Sequence, residues 1–597
     1  MFGSTTVRWL GVLWLLLIGI GLFAILILIP SGTWLPEVAS ESGKLLLKRY
    51  NAISHLFFLL LLTATCLFLL HKAQSETVTQ YPTEKNAGSI KRILQWVRRH
   101  PLASGLFAFY ASLMLQQASW FYKEIISWYK DIHTDHLLNN FALRWELVKE
   151  TMFRNDFRFF PLSHQDLHIL SWLTPYVSIW MLVNAAELVT ICILSAKTAG
   201  ELSNRSNRKE ILLVFSILFL FDTATGFTFF QFIYSERIVA LLFAIYIYFY
   251  SHYWKSKQSR DQYLTILPAL VGIFFKDTGF ILFTMPPMFV LLAGCSGALA
   301  GRPKLSRKTL EAWINAYRLE ICLISLIFVL AISFLFLSYI PSFYHGNNAY
   351  DSALRFSRFE SDYRFGILML TMATRSILIH LRKVRFSLLD AFNIGALAYA
   401  LGLFALVGFR SSNYMALPVQ LIATLNLTML WIWATTPLIH KGGNTKLIGI
   451  AGVVASSCLI GIEHLEGKGF NHRISKMKVD QESWVQTYDR LRTITTNARQ
   501  NGEEINIIYS KSWFRNRGPL ERLNFDRLIY FDLEDDVYTV MEGVGKGSYY
   551  SPVKGDFLVN IDTGKRLATH HIDMTAYREI YNYNPNENNG KIFRRIQ

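Results

Sequence analysis

Two acids and two histidines lie close together in the stretch "WYKDIHTDHLLNN" (128–140), directly after a long apolar run. Asp131 and Asp135 are four residues apart, so a helical backbone would place both carboxylates and Asn139 on one face. Two neighbouring carboxylates repel each other and raise the pKa of one, which suits a general base. The spacing therefore predicts a site that removes a proton from a substrate, with Asp135 or Asp131 as the base.

The same stretch also has a purely structural interpretation. Thr134 and Asp135 are residue types that cap helices, and a helix beginning near His136 would use either of them in that way. The position of the segment relative to a membrane is needed to weigh the two interpretations.

A second group of ligand-type residues follows in the same region. His164 and His168 are four residues apart with Asp166 between them, a spacing suited to a divalent metal. Such histidines are more often solvated residues of a loop. We therefore expect no cofactor, and a divalent metal at His164, Asp166 and His168 is the alternative.

The composition is that of a polytopic membrane protein. Of the 597 residues 52% are hydrophobic and 17% are charged, and apolar runs of about 17–25 residues recur along the chain. The net charge of +17 is explained by basic loops on the cytoplasmic side, which makes a nucleic-acid partner improbable. The five cysteines all lie in apolar segments and form neither a disulfide framework nor a zinc motif.

The distribution of charge predicts the orientation of the chain. The loop after the second apolar run, residues 72–99, is rich in lysine and arginine, which predicts that it is cytoplasmic. Counting from spans at 9–30, 53–71 and 102–122 gives about 13 spans, the last near 446–463. The N-terminus is then cytoplasmic and the C-terminus extracytoplasmic, as expected for a multi-pass plasma (bacterial inner) membrane protein.

The tail has the pattern of a small α/β domain. Trp484, Tyr488, Leu491 and Ile494 recur at helical spacing, and residues 505–510, 527–533 and 556–561 are typical of short strands. The glycine-rich stretch 543–548 lacks phosphate-loop spacing and is predicted to be a turn. The predicted organisation is 1–101 (two spans and a basic loop), 102–463 (membrane core with an outer loop at 123–168) and 464–597 (extracytoplasmic domain).

Two large predicted outer loops lie within the membrane core. The first, 123–168, contains alternating apolar and charged residues over 138–150 that predict an amphipathic helix at the membrane interface. The second, 341–365, carries Arg355 and Arg358 among aromatic residues. We assign these two arginines, with His136 and Asn139, to substrate binding, although a merely solvated loop is an equal alternative.

Several short motifs in this order resemble the GT-C superfamily of membrane glycosyltransferases, over residues 102–435. An acid early in the first large outer loop (Asp135) is followed by "FRFFP", which ends at Pro161. Later segments also resemble that superfamily: "SERIVALLF" (235–243), "FFKDTGFILF" (274–283) and "SSNYMALPVQL" (411–421). Two features differ from its usual pattern, because the loop follows the third span rather than the first, and "DH" replaces a paired acid.

This resemblance implies transfer of a sugar from a polyprenyl-phosphate carrier to a glycan, lipid or protein acceptor on the extracytoplasmic face, by inverting direct displacement. Asp135, or Asp131, would deprotonate the acceptor. Lys276, Arg237 and Arg410, at the predicted outer membrane boundary, would stabilise the departing phosphate. The alternative for each of these cations is a role as a membrane anchor or in an ion pair, such as Lys276 with Asp277.

A polar residue within an apolar run adds a further candidate. Asp222 lies in "FLFDTATGF", and intramembrane ionisable residues are functional candidates by default. We assign Asp222 to the substrate-binding group.

Three other functions remain open from the sequence. A cell-surface polysaccharide polymerase or ligase would depend on His345, Arg355 and Arg358 of the late outer loop rather than on the aspartates. A transporter or flippase of a lipid-linked sugar would move its substrate without making a glycosidic bond, and would show paired half-repeats with broken helices. A non-catalytic membrane scaffold would not need the acids.

Overall fold

The protein is described by a computed structural model. It covers Gly19 and residues 35–80, 89–116, 140–204, 209–231, 233–300, 307–346, 359–440, 443–467, 469–510, 520–532, 535–561, 572–585 and 590–597. The predicted first span, 9–30, lies outside the described residues apart from Gly19.

Helices form most of the chain before residue 500. In order they are α1 (Glu41–Gln80), α2 (Ser89–Arg99), α3 (Pro101–Gln116), α4 (Asn140–Thr151), α5 (Gln165–Leu173), α6 (Val177–Leu202), α7 (Lys209–Leu220), α8 (Thr223–Phe229), α9 (Glu236–Ser256), α10 (Ser259–Gly272), α11 (Gly279–Ala300), α12 (Arg307–Ala316), α13 (Arg318–Phe334), α14 (Ile340–His345), α15 (Tyr363–His380), α16 (Leu388–Val407), α17 (Leu417–His440), α18 (Thr445–Leu465) and α19 (Phe470–Gln500). A π-helical turn, Leu335–Tyr339, joins α13 to α14. The helix predicted over 138–150 is confirmed as α4.

Six helical segments among the described residues are long and apolar enough to cross a membrane: Glu41–Glu76, Val177–Leu202, Arg318–His345, Leu388–Val407, Tyr414–His440 and Thr445–Leu465. A seventh results if α7 and α8, which meet at 73°, form one broken span. Helix α3 and the segment Gly279–Cys295 are apolar but shorter. Large apolar side chains such as Phe57, Trp433 and Leu465 point outward, which suits a hydrocarbon solvent and supports a multi-pass membrane protein.

Hydrogen bonds satisfy several polar side chains buried inside the helical bundle. The Tyr246 hydroxyl donates to the carbonyl of Phe283 (3.1 Å), and Asn393 and Asn426 donate to each other at 3.0 and 2.7 Å. In a low-dielectric interior an unsatisfied polar group is costly, so paired groups of this kind fix how the helices pack.

The break between α7 and α8 is stabilised locally. The Asp222 carboxylate caps α8 by accepting hydrogen bonds from the N–H groups of Ala224 (3.0 Å) and Thr225 (3.2 Å). Phe470, at the start of α19, packs against α8 so closely that a Cβ on Gly226 would lie 2.6 Å from its ring. The first turn of α19 is thereby held in the membrane core.

We expect Gly226→Ala to destabilise this contact, because the added methyl group would overlap the Phe470 ring. Overpacking of this kind costs about 1–3 kcal/mol. The measurement is hydrogen exchange of the α19 amides in the full-length protein, which should be faster in the variant. Gly105→Ala in α3 is the matched control, because nothing lies within 4 Å of its added Cβ; equal exchange of α19 in both variants would refute the contact.

The C-terminal region folds into one mixed sheet that packs on α19. Its strands are β3 (Asn506–Ser510), β4 (Arg527–Asp532), β5 (Val537–Gly543), β6 (Phe557–Asn560), β7 (Tyr577–Asn582) and β8 (Lys591–Arg595), in the order β5-β4-β3-β6-β8-β7. Strands β3, β4 and β6 are parallel, and the other pairings are antiparallel. A separate two-stranded ladder in the membrane part pairs β1 (Phe359–Glu360) with β2 (Phe409–Arg410) in parallel.

The sequence-based prediction for this region is confirmed where apolar residues are continuous. The three predicted strands correspond to β3, β4 and β6, which form the centre of the sheet. Residues 543–548 form the predicted turn, with Gly543, Gly545 and Gly547 at positive φ. Trp484, Tyr488 and Leu491 of α19 are buried against the sheet, as their spacing predicts. The prediction missed β5, β7 and β8, which lie on either side of the central strands β4, β3 and β6.

A carboxylate at the beginning of β4 predicts a pH effect on this domain. Asp526 accepts hydrogen bonds from the Ile505 N–H (2.8 Å) and from Arg499 (3.0 Å). Burial by itself raises the pKa of Asp526, but these two donors lower it below its ordinary value. The Asp526 carboxyl therefore binds a proton more tightly in the unfolded state than in the folded state. The ionised carboxylate stabilises the folded domain, and this stabilisation is complete above the unfolded carboxyl pKa of about 4.

We expect this stabilisation to be lost as the pH falls through the folded pKa of Asp526. Hydrogen exchange of the β3 amides, corrected for the intrinsic effect of pH, should show the loss. Asp526→Asn should lower the opening free energy by about 1 kcal/mol at neutral pH and remove its contribution to the pH dependence. An unchanged pH profile in the variant would contradict this role.

Candidate functional site

The proposed bases lie beyond the described part of the chain. Asp131, Asp135, His136 and Asn139 fall within residues 117–139, and Arg355 and Arg358 fall within 347–358. Their assignments therefore stay predictions. The structure does describe the segments that come directly after them and the cations predicted to bind phosphate.

The "FRFFP" segment is held in an unusual loop after α4. Asn155, Phe157 and His164 adopt left-handed backbone conformations (φ 53°, 61° and 63°), which non-glycine residues rarely do. The Phe157 N–H donates to the Ser342 hydroxyl at 2.9 Å. Contacts from other helices thus hold the loop in a conformation that its own residues would not favour.

The same segment contacts the turn between α10 and α11, which contains the "KDTGF" motif. The Leu162 N–H donates to the carbonyl of Phe274 (3.1 Å). The Arg158 guanidinium forms an ion pair with Asp277, with Nε 2.5 Å from Oδ2. Two motifs more than a hundred residues apart therefore form one surface, and Asp277 pairs with Arg158 instead of with its neighbour Lys276.

Lys276 pairs with the "SER" motif. Its Nζ lies 2.6 Å from Oε1 of Glu236, a carboxylate that is buried, whereas the lysine side chain remains 17% exposed. Burial by itself lowers the pKa of Lys276, but the Glu236 carboxylate raises it above its ordinary value. The ammonium therefore stays charged, and its three donors leave capacity for a second anionic partner beside Glu236.

An aromatic stack, formed by Phe227, Tyr234 and Tyr414, lies beside Lys276. The Tyr234 and Tyr414 rings are stacked with centroids 3.8 Å apart, and Phe227 is stacked on both at 5.3 and 5.5 Å. Lys276 Nζ lies 5.9 Å from the Tyr414 centroid, within cation–π range. Tyr414 belongs to "SSNYMALP", so a fourth motif joins this surface.

A second cation, Arg473, contacts the aromatic stack from α19. Its guanidinium carbon lies 3.7 Å from the Phe227 centroid, and its Nε is buried without a hydrogen-bond partner among the described residues. Burial lowers the pKa of Arg473, and nearby Arg410 lowers it further. The sequence analysis missed Arg473; its only signal was a basic start, "NHRISK", in a helix predicted to begin later.

Arg410 occupies the rim of this surface. It is exposed, lies on β2 and is 3.5 Å from Glu360 on β1, which is also exposed. A solvent-screened pair of this kind contributes little stability. The Arg410 guanidinium is therefore accessible to an anion that reaches the aromatic stack.

Arg237, by contrast, is enclosed. Its side chain is 1% exposed and forms ion pairs with Asp166 of α5 and with Glu187 of α6, the latter at 2.6 Å. Two carboxylates compensate one guanidinium here, so a phosphate could bind Arg237 only after losing one of these pairs. The arrangement places Arg237 as the link between α5, α6 and α9.

The possible metal ligands do not converge within the described residues, where no group of three such side chains is found. One oxygen of the Asp166 carboxylate, Oδ2, pairs with Arg237. The His168 Nδ1 is 3.0 Å from the Gln165 side-chain oxygen, and its ring stacks on Trp172. Asp166 and His168 thus contact different protein groups and do not point toward a common metal position.

Asp222 belongs to a separate buried ion network at the break between α7 and α8. Arg364 lies 3.5 Å from Asp222 and 2.9 Å from Glu463, and also donates to the carbonyl of Leu218 at 2.7 Å. Arg364 and Asp222 are both almost fully buried. The network joins α8, α15 and α18, and the Asp222 carboxylate already accepts the bonds that cap α8.

The surface formed by these motifs therefore has a defined electrostatic arrangement. Lys276 lies beside Tyr414 of the aromatic stack and Arg473 beside Phe227, and Arg410 is close enough to lower the pKa of Arg473. Cations partly shielded from water attract a phosphate more strongly than exposed ones do.

A scan of the sequence against models of known protein families gives no match, and a search of curated proteins gives none either.

Proposed function

We propose that this protein is a GT-C-like glycosyltransferase, which moves a sugar from a polyprenyl-phosphate carrier to a glycan, lipid or protein acceptor. The observation that carries the proposal is the contact among four of the motifs on which the GT-C resemblance rests. Arg158 pairs with Asp277, Lys276 pairs with Glu236, and Lys276 Nζ lies 5.9 Å from the centroid of the Tyr414 ring. Segments that are far apart in the sequence thus contribute to one surface, as the residues of a shared site would.

The proposal includes the topology and the cellular location. About 13 spans would leave the N-terminus cytoplasmic and place the "FRFFP" loop, the aromatic stack and the C-terminal domain on the extracytoplasmic side of a bacterial inner membrane. The product would contribute to polysaccharides or other glycans of the cell envelope.

In the proposed reaction, Asp135, or Asp131 in its place, takes the proton from an acceptor hydroxyl. The acceptor oxygen attacks the anomeric carbon from the face opposite the phosphate, and the bond between that carbon and the phosphate oxygen breaks. One displacement inverts the anomeric configuration and releases polyprenyl phosphate. Donors placed where the negative charge develops lower the barrier, and Lys276 is the best-placed described cation for that role.

The remaining candidate cations take supporting roles in this proposal. Arg473 and Arg410 attract the donor phosphate at the aromatic stack. Arg237 is a positioning residue, because its guanidinium already binds Asp166 and Glu187. The mechanism needs no cofactor, and a divalent metal is the alternative way to stabilise the phosphate.

A second candidate function is movement of a lipid-linked sugar across the membrane. The 73° break between α7 and α8 favours it, because broken helices with ionisable residues at the break are common in transporters. Asp222, Arg364 and Glu463 lie at this break. A flippase would use these residues to bind its substrate and would leave the carrier unchanged.

Reconstituted liposomes distinguish the two functions. Full-length protein is incubated with radiolabelled polyprenyl-phosphate sugars and with candidate acceptors outside the vesicles. A transferase yields labelled acceptor together with free polyprenyl phosphate. Label that crosses the bilayer while remaining on intact carrier would support the flippase and reject the transferase.

A further inference from the structure

Helix α2 has the sequence of a strongly amphipathic, basic helix. Ile93, Leu94 and Val97 follow the i, i+1, i+4 pattern and share one face. The other side carries Lys91, Arg98 and Arg99, and the helix contains no acidic residue. A net charge of one sign beside an apolar stripe is typical of helices that lie in a membrane interface.

No protein surface covers the apolar face within the described structure. Ile93, Leu94 and Val97 are 62%, 54% and 39% exposed. Leu102, just beyond the end of the helix, is 73% exposed. An apolar stripe of this extent requires a partner that is itself apolar.

The chain bends between α2 and α3. Trp96 and Phe107 stack with ring centroids 6.5 Å apart, although eleven residues separate them, about 16 Å along a straight helix. Pro101 lies at the bend and cannot donate a backbone hydrogen bond. Helix α2 is therefore turned relative to α3, the short apolar helix that follows, rather than continuing its axis.

Cations from three helices gather where α2 ends. Burial lowers the pKa of His100, and the positive charges of Lys209, Arg99 and Lys197 lower it further. Glu210, the acid nearest to Lys209 in the chain, packs against Gly449 of α18. The end of α2 thus carries an excess of positive charge from α2, α6 and α7.

We propose that α2 lies in the bilayer interface and binds anionic phospholipid headgroups through Arg98, Arg99 and the cations around His100. The sign of the charge selects an acidic headgroup, and the apolar face inserts at the headgroup–acyl boundary. A membrane offers both an anionic headgroup layer for the cations and an apolar layer for the exposed face of α2. This binding does not depend on the proposed glycosyltransferase activity.

Hydrogen exchange in nanodiscs tests the proposal with the full-length protein. Amides of residues 93–99 are compared in discs of phosphatidylcholine alone and in discs with 30% phosphatidylglycerol. We expect the anionic lipid to slow their exchange at least tenfold. Arg98→Gln/Arg99→Gln should reverse most of this slowing, since each cation near a charged membrane contributes roughly a fivefold factor.

Two further variants complete the test. Lys383→Gln/Arg385→Gln removes the same charge from an exposed loop after α15 and should keep the full response to phosphatidylglycerol. Ile93→Ser/Leu94→Ser should lose protection in both kinds of disc. Protection that is independent of phosphatidylglycerol, or that survives in the Arg98/Arg99 variant, would reject the lipid site and indicate a protein partner for the apolar face instead.

Discussion

Replacing Asp135 by asparagine is expected to reduce sugar transfer by about 10²–10⁴-fold, the usual contribution of a general base. Asparagine keeps the size of the side chain and its ability to cap a helix, but it cannot accept the proton of the acceptor hydroxyl. The measurement is the initial rate of transfer from a radiolabelled polyprenyl-phosphate sugar by purified full-length protein.

Asp131→Asn is the matched control for this prediction. If Asp135 is the base, the Asp131 variant should lose much less activity; if the roles are exchanged, the losses should be exchanged as well. A purely structural role for both residues predicts that both variants remain active when they are folded, and that result would remove the carboxylates from the mechanism.

The second large effect is expected at the ion pair between Lys276 and Glu236. Lys276→Met alone would leave the buried Glu236 carboxylate uncompensated, at a cost of about 3–5 kcal/mol. The double variant Lys276→Met/Glu236→Gln removes both charges together and should fold. We expect it to reduce kcat by about 10²–10³-fold, because the developing charge on the phosphate loses its nearest cation.

A second buried pair provides the control. Arg375 and Asp390 are 2.6 Å apart and join α15 to α16, in a region that the charge pattern predicts to be cytoplasmic. Arg375→Met/Asp390→Asn removes a comparable ion pair, and per folded molecule it should transfer sugar at the normal rate. Equal losses in the two double variants would mean that Lys276 acts through stability alone.

Local patterns were sufficient to predict much of the secondary structure. The helix after residue 138, the burial of Trp484 and Leu491 in α19, and the three central strands all follow from apolar spacing within short windows. Helix α1 is longer than the predicted span at 53–71, because the helical backbone also continues through residues 41–52 and 72–80, which include charged and polar side chains. Apolar composition defines the part of a helix that suits a membrane, and it does not define where the helix ends.

The partners of charged residues were much harder to predict. The sequence offered Asp277 as the neighbour of Lys276, but the turn directs Asp277 to Arg158 and leaves Lys276 with Glu236. Arg237 was predicted as a phosphate ligand from its place at a predicted membrane boundary, yet tertiary contacts surround it with two carboxylates. Such pairings depend on how distant helices pack against each other. The periodicity of residues within one segment carries no information about that packing.

Arg473 illustrates the same limit for the candidate site. It is about 250 residues along the chain from Phe227, the ring that it contacts, and its own segment resembles an ordinary basic helix start. Its proximity to the aromatic stack results from Phe470 packing onto α8, a contact that requires a glycine at position 226. Neither residue pattern alone indicates that the two segments meet.

The configuration of the transferred sugar tests the proposed function most directly. Purified protein is incubated with a polyprenyl-phosphate sugar of known anomeric configuration, and the glycosylated product is examined by NMR. We predict one new glycosidic bond of inverted configuration for each polyprenyl phosphate released. A retained configuration would contradict direct displacement, and an unconsumed carrier across the range of donor sugars and acceptors would contradict the glycosyltransferase itself.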